Sequence, residues 1–168
     1  MEGFIMELKP LIDPEMIKFI ITEPELWSRL KEDGSNPDAY EPNMSPTSLY
    51  LGIYVEDLLI GLFSFHQKNL STIDIHANIL KDYRKLYAKE AGRLAIAYFA
   101  YNTHNTVQKL VAEIPVIYKD VYHFSLNNGL VDEGINRKSI LKDGQLVDQH
   151  MLGITKEEAQ NLQLKKVA

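Results

Sequence analysis

Residues 107–155 constrain the fold of this chain more than any other stretch. They read as a strand from Val107 to Ile114, a short helix closed by Asn127-Asn128-Gly129, and two strands turning at Asp143-Gly144. Gly129 fits the left-handed position just past a helix end, where a residue without Cβ sits at little cost. Asp-Gly between two extended runs marks a type I′ hairpin, which needs positive φ at both central residues.

The upstream residues supply the rest of a mixed sheet. Phe4–Lys9 reads as a short strand. Asp13-Pro14 opens a helix with an N-cap and a first-turn proline, and Met16, Phe19 and Ile20 give it an apolar face. Thr22 and Glu25 have capping-box spacing for a second helix, in which Leu26, Trp27 and Leu30 point inward. Residues 33–47 are rich in Gly, Ser, Asn, Pro and Asp, and a loop this long in a compact domain is often functional. Leu49–Val55 and Leu58–His66 pair around Glu56-Asp57, and the second is apolar enough to be covered on both faces. Ser71–Ile79 alternates, with Ile73, Ile75, Ala77 and Ile79 on one face and Thr72, Asp74, His76 and Asn78 on the other. A basic connection, Lys81–Lys85, leads to a helix from about Leu86 to Tyr101 whose apolar face holds Tyr87, Ala91, Leu94, Ala95 and Tyr98. Thr155-Lys156-Glu157-Glu158 caps a small terminal helix, and the tail to Ala168 reads as loose.

These elements predict one α/β domain over residues 1–168, with its core in 4–155 and a short helix and tail in 156–168. The expected sheet is mixed, mostly antiparallel, of about seven strands, with helices on both faces. Composition narrows the function. With no cysteine among 168 residues, disulfides, thiolate metal sites and a cysteine nucleophile are excluded. A net charge of −5 gives no strong nucleic-acid signal. No apolar run approaches the roughly 20 residues of a membrane span, and the start lacks a signal-peptide pattern, so a cytoplasmic protein is expected.

The order of elements resembles the GNAT (Gcn5-related N-acetyltransferase) superfamily from residue 4 to about residue 155. The resemblance is carried by Leu59-Ile60-Gly61, by Ile75-His76-Ala77-Asn78-Ile79 running into Asp82-Tyr83-Arg84, and by Asn127-Asn128-Gly129-Leu130 before Glu133-Gly134. It implies an acyl-CoA-dependent N-acyltransferase acting on a small-molecule or protein amine, with acetyl-CoA or another acyl-CoA as co-substrate and no metal. The acyl-CoA would sit where the strands Ser71–Ile79 and Val107–Ile114 part, its pyrophosphate at the start of the next helix. A helix N-terminus suits an anion because its first N–H groups lack partners and the peptide dipoles add there. The family's glycine-rich phosphate loop is not intact. Counting from Arg84, its glycine positions hold Tyr87 and Lys89. Lys81, Arg84, Lys85 and Lys89, with the small Ala88, offer side-chain charge in its place, beside Asn78 and Leu80 at the strand end.

Acyl transfer to an amine needs a base for the ammonium proton, donors for the oxyanion and, where used, an acid for the thiolate. Asp74 and His76, two apart on one strand face, are the candidate base pair, since a nearby carboxylate raises an imidazole's pKa. Where related enzymes carry a tyrosine acid, this chain has Ser125, and Tyr122 stands one turn earlier on the same helical face. His66, His104, His123 and His150 show no metal-site spacing. The other reading is a GNAT-fold scaffold or assembly protein that has lost cofactor chemistry, with a protein partner. The His76–Ile79 and Tyr83-Arg84 run is similar to acyltransferase-like proteins of short-tailed bacteriophages, some labelled head-assembly or virion proteins. That reading places the chain in a host cytoplasm or virion.

Overall fold

Backbone pairing in the computed structural model yields seven strands and five helices; the described residues are 3–167, with side chains to Gln163. The strands are β1 (Met6–Pro10), β2 (Ser48–Val55), β3 (Leu58–Gln67), β4 (Thr72–Ile79), β5 (Lys109–Pro115), β6 (Val131–Lys142) and β7 (Gln145–Thr155). The helices are α1 (Pro14–Ile21), α2 (Pro24–Leu30), α3 (Lys81–Asn102), α4 (Lys119–Asn127) and α5 (Lys156–Val167). They build one sheet in the order β1-β2-β3-β4-β5-β7-β6. The registered pairs are antiparallel except β4 with β5. This is the mixed, mostly antiparallel α/β architecture expected from the sequence. No helix among the described residues is long and apolar enough to cross a membrane.

The chain divides into two compact units: Met1–His66 with His76–Leu94, and Gln67–Ile75 with Ala95–Ala168. In the first, β2 and β3 meet at Glu56 and Asp57, whose φ of 48° and 68° give the primed turn a tight hairpin needs. All six residues from Ile60 to Phe65 are buried, as their apolar run implies. A cluster of Leu11, Ile17, Ile20, Ile21, Leu26, Tyr50 and Leu62 packs beside them.

Several local expectations need correction here. Asp13 caps α1 as expected, accepting from the N–H groups of Glu15 and Met16. The buried face, however, is Ile17, Ile20 and Ile21, while Met16 is 40% and Phe19 68% exposed. In a segment reading Met-Ile-Lys-Phe-Ile-Ile, periodicity alone cannot choose between two apolar stripes. The N-cap of α2 is Glu23, which accepts from Glu25 and Leu26 N–H, whereas Thr22 donates back to the Lys18 carbonyl and finishes α1. The alternation of β4 fails in its second half, where Ala77 is exposed and Asn78 buried. Helix α3 starts at Lys81 rather than Leu86, so the basic connection is itself helical. Nothing in Lys-Asp-Tyr-Arg-Lys resists helix formation, and charge alone does not make a loop.

In the second unit, α4 ends in a Schellman motif: Leu130 N–H donates to the Ser125 carbonyl and Gly129 N–H to that of Leu126, with Gly129 at φ 94°. Asp143 and Gly144, at φ 50° and 76°, turn β6 into β7. β6 bulges between Asp132 and Gly134 and again between Asn136 and Ile140. Thr155 and Glu158 form a reciprocal capping box at the start of α5. α5 runs to Val167, longer than the short helix and tail expected; Ala168 lies outside the described residues.

Candidate functional site

Three pairs register β4 with β5: Thr72 with Lys109, Ile73 with Leu110 and Asp74 with Val111. Among the described residues the parallel ladder goes no further, although the strands are 8 and 7 residues long. Asp74 therefore marks where pairing ends.

In the first unit, β4 passes into α3 through Leu80. Its N–H donates to the Ile60 carbonyl and its own carbonyl accepts from Tyr83 N–H, both at 3.0 Å. Its side chain packs on the core cluster. Leu80 thus shapes the turn into α3. Asn78 is 1% exposed, and its carbonyl faces Gly61 so closely that a Cβ there would lie 2.4 Å from it.

Arg84 has a structural role that sequence reasoning missed. Its guanidinium donates from Nη1 to Glu25 Oε1 at 2.7 Å and from Nη2 to Oε2 at 2.5 Å, while Nε donates to the Ile79 carbonyl at 2.7 Å. Arg29 reaches the same carboxylate at 3.1 Å. The hydrogen bond from Arg84 holds the Glu25 carboxyl below its ordinary pKa. A bidentate fork of this kind sets geometry as well as energy. It ties the end of β4 and the start of α3 to α2, and takes Arg84 out of the group expected to grip phosphate.

The fork gives a stability prediction. Glu25→Gln removes a charge-assisted bond between side chains roughly a quarter to a third exposed, and should cost about 1–2 kcal/mol at neutral pH. A folded-state pKa below the unfolded one contributes stability that is full above the unfolded value and lost as pH falls through the folded value. The gap between wild type and variant in chemical denaturation should therefore close below about pH 4.

Lys81, Lys85 and Lys89 are exposed on α3, and Ala88 is half-buried. With about 100° per residue, Lys81, Lys85 and Ala88 continue the helix face that Ala91, Ala95 and Phe99 bury further along. That face opens at the first two turns, where Lys81 and Lys85 stand, with Lys89 about 40° round from Lys85. Tyr87 points elsewhere, roughly 120–160° round the axis from Lys81 and Lys85. It meets the edge of Phe4 at 5.0 Å and lies 6.3 Å from the Tyr83 ring. The bulky residue at the family's glycine position does not cover the lysine face. There is no glycine nest, so phosphate would have to be held by lysine side chains and the helix N-terminus.

Residues 33–47 are pinned to the same unit. Lys18 Nζ donates to the Asp38 carbonyl and to Glu41, each at 3.0 Å. Tyr40 meets Trp27 edge-on at 5.5 Å, and Lys31 Nζ lies 5.1 Å from the Tyr40 ring and 5.6 Å from the Trp27 ring. Burial pushes the Lys31 ammonium pKa down and the Tyr40 phenol pKa up. The Tyr40 phenol is also raised by the neighbouring Tyr50 hydroxyl.

His76 is half-buried, its ring 6.0 Å from that of His66. His66 Nδ1 is 2.8 Å from Ser48 Oγ. Neither partner was expected from the sequence. Asp74, in the second unit, is half-buried two residues before His76 on β4.

In the second unit, Tyr122 donates to Asp132 Oδ2 at 2.8 Å, which raises its phenol pKa. The Asp132 carboxyl is lowered, first by the Gly134 N–H and then by Tyr122. The His150 ring lies 4.1 Å from that of Tyr122, and its Nδ1 3.6 Å from Asp132 Oδ2. Asp132 carried no sequence signal, because the β6 bulge between Asp132 and Gly134 places it. The Ser125 hydroxyl donates to the Val121 carbonyl at 3.0 Å inside its own helix. That corrects the acid role expected of it: the proton is held by backbone, and the residue serves the helix end. No group of three or more His, Cys, Asp or Glu among the described residues is placed to hold a metal ion.

Against known proteins, a family model described as "Protein of unknown function (DUF2824)" matches residues 15–163. No curated protein matches the sequence. Among solved structures, the spermidine N-acetyltransferase from Vibrio cholerae in complex with CoA and spermine is similar at a TM-score of 0.77 and 17% identity, covering 93% of this chain and 98% of that one. The spermidine/spermine N-acetyltransferase SpeG from Vibrio cholerae in complex with manganese ions gives 0.71 and 16%, covering 93% and 95%. At these identities the likeness is one of fold, and the fold is the GNAT fold expected from the order of elements.

Proposed function

Because the chain belongs to the family described as "Protein of unknown function (DUF2824)" and has the GNAT fold, we propose that it transfers an acetyl or other acyl group from CoA to a small amine. The observation that carries this is the three-pair β4–β5 ladder, which ends at Asp74 although the two strands are 8 and 7 residues long. The similar Vibrio cholerae enzyme was solved with CoA and spermine, which favours a CoA thioester as donor and an amine as acceptor.

Lys81, Lys85 and Lys89 hold phosphate charge, with Ala88 leaving room on the helix face. Arg84, locked to Glu25, fixes where that helix begins. Asn78 keeps the strand end in place. His76 takes the proton from the acceptor's ammonium. A free amine then forms the C–N bond as the C–S bond breaks and the electron pair leaves on sulfur. Acyl-CoA supplies the thioester when bound. Tyr122, one turn before the Ser125 that occupies the family's tyrosine position, takes the acid role. The acidic side chains Glu32, Asp33 and Asp38 in and beside the long loop suit a cationic acceptor.

The test is incubation with acetyl-CoA and a panel of small amines, following free CoA thiol and the acetylated amine by mass. Amine-dependent release of thiol is expected, and none across the panel would contradict the proposal. A second reading, a GNAT-fold scaffold without cofactor chemistry, draws on the Arg84 fork: the arginine nearest the expected phosphate position is bound to Glu25.

A further inference from the structure

Tyr122, Asp132 and His150 stand on α4, β6 and β7, all within the second unit. The Tyr122 hydroxyl donates to Asp132 Oδ2 at 2.8 Å, and the Gly134 N–H donates to Asp132 Oδ1 at 2.9 Å. The His150 ring lies 4.1 Å from the Tyr122 ring and is inclined to it by 31°, a stacking that fixes the plane of the phenol. His150 Nδ1 is buried without a hydrogen-bond partner. It stands 3.6 Å from Asp132 Oδ2, the oxygen that Tyr122 already engages, which is just beyond bonding distance.

One carboxylate oxygen thus has two groups beside it and bonds only one of them. A phenol carries a single proton. While that proton points at Asp132 it is withheld from any other acceptor, and the carboxylate's charge opposes its loss. A buried ring nitrogen left unbonded is costly, so a contact that satisfies it is favoured. With its proton on Nδ1, His150 needs only a small turn of the Asp132 carboxyl to become the donor. The Tyr122 proton is then released from Asp132.

We infer that Asp132 and His150 are positioning residues for Tyr122: Asp132 holds the phenol proton in reserve, and His150 Nδ1–H takes over the carboxylate when that proton is given up. The inference rests on the acyl-transfer reading, in which Tyr122 protonates the departing thiolate. In that step the phenol O–H bond breaks, an S–H bond forms on CoA, and the O–H electron pair stays on the Tyr122 oxygen. The phenolate recovers a proton from water before the next turnover. With Nδ1–H on Asp132, the carboxylate oxygen has a donor at the moment a second anion forms beside it. The titratable groups around Tyr122 are Tyr118, Lys119 and Asp120 at the start of α4, His123 on the same helix with its ring 5.5 Å away, Asp132 on β6 and His150 on β7. Of these, Asp132 is the anion bonded to the phenol, and its hydrogen bond is the main reason the phenol pKa is raised.

NMR of isotope-labelled tyrosine in the full-length chain, followed over about pH 8–12, tests the hold on the proton, with a Tyr122→Phe spectrum identifying the Tyr122 signal. Its midpoint should lie above the ordinary value of about 10. Asp132→Asn should lower that midpoint by about one pH unit, and the alkaline limb of kcat/KM for amine acetylation should fall with it. His150→Phe keeps a stacked ring but no donor. It should leave the Tyr122 midpoint raised while kcat drops about tenfold at unchanged KM for acetyl-CoA, and it keeps the test open if Asp132→Asn does not fold. An ordinary wild-type midpoint, or one that Asp132→Asn does not move, would overturn the hold. An undiminished kcat in His150→Phe would overturn the exchange. A raised midpoint that depends on Asp132, in a chain that acetylates no amine, would support the hold and count against the transfer proposal.

Discussion

Asparagine in place of His76 is expected to lower amine acetylation by about 10²- to 10⁴-fold, the usual contribution of a positioned general base. With the proposed roles, His76 on the acceptor's proton and the lysines on the CoA phosphates, the loss should fall on kcat and kcat/KM together and leave acetyl-CoA binding unchanged. Raising the pH should recover part of the rate, since a larger share of the amine is then already free. Acetylation measured against pH for both proteins checks this. An unchanged rate near neutral pH would remove His76 from the chemistry.

Gly61→Ala is expected to be the most damaging conservative substitution in the sheet. A Cβ at this position would stand 2.4 Å from the Asn78 carbonyl oxygen and 2.8 Å from Ile79 Cα, both backbone atoms. A side chain can turn aside, but a paired strand cannot move without losing its ladder. The cost should reach about 3 kcal/mol, the upper end for overpacking, or roughly 6–12 °C in Tm for a chain of this size. The damage should also reach function, because Asn78 and Ile79 lead into α3 and Ile79 carries the carbonyl that Arg84 holds. A melt within about 2 °C of wild type would show that β3 and β4 are not so tightly apposed.

Much of the fold was legible because local signals and the global arrangement agree. Asp13-Pro14, Asn128-Gly129, Asp143-Gly144 and Thr155-x-x-Glu158 each name one backbone geometry, and each takes it. The α1 face was not legible, because nearly every residue there is apolar and only the packing of Ile17, Ile20 and Ile21 against Leu11 and Tyr50 separates inside from outside. The start of α3 was misplaced for a different reason. Four charged residues in five look like solvated loop, yet the Leu80 tie to Ile60 and the Arg84 fork hold them helical.

The candidate site was legible in part. His76 and the lysines follow from position along the chain. Glu25 does not, since 59 residues separate it from Arg84. Ser48 and His66 depend on a bulge. Counting from the Val55–Leu58 pair at the turn would set Ser48 opposite Phe65, but the register slips by one between Ile53 and Tyr54, and His66 takes that place. The Tyr122–Asp132 bond likewise needs the bulge at Asp132. Irregularities of this kind are set by the twist and packing of the whole sheet, which no short window of sequence contains.

Binding of acetyl-CoA tests the central claim most directly, with thermal unfolding of the wild type compared with a Lys81→Ala/Lys85→Ala double variant. A ligand at a hundredfold over its Kd stabilises the native state by about 2.7 kcal/mol, or roughly 5–11 °C here. Two charge-assisted contacts worth about 1.5–3 kcal/mol each would weaken binding enough to abolish that shift in the variant, without altering its melting when acetyl-CoA is absent. A wild-type shift that disappears in the variant is the predicted result. No wild-type shift, or an equal shift in both proteins, would contradict a CoA seat at the lysine-bearing start of α3.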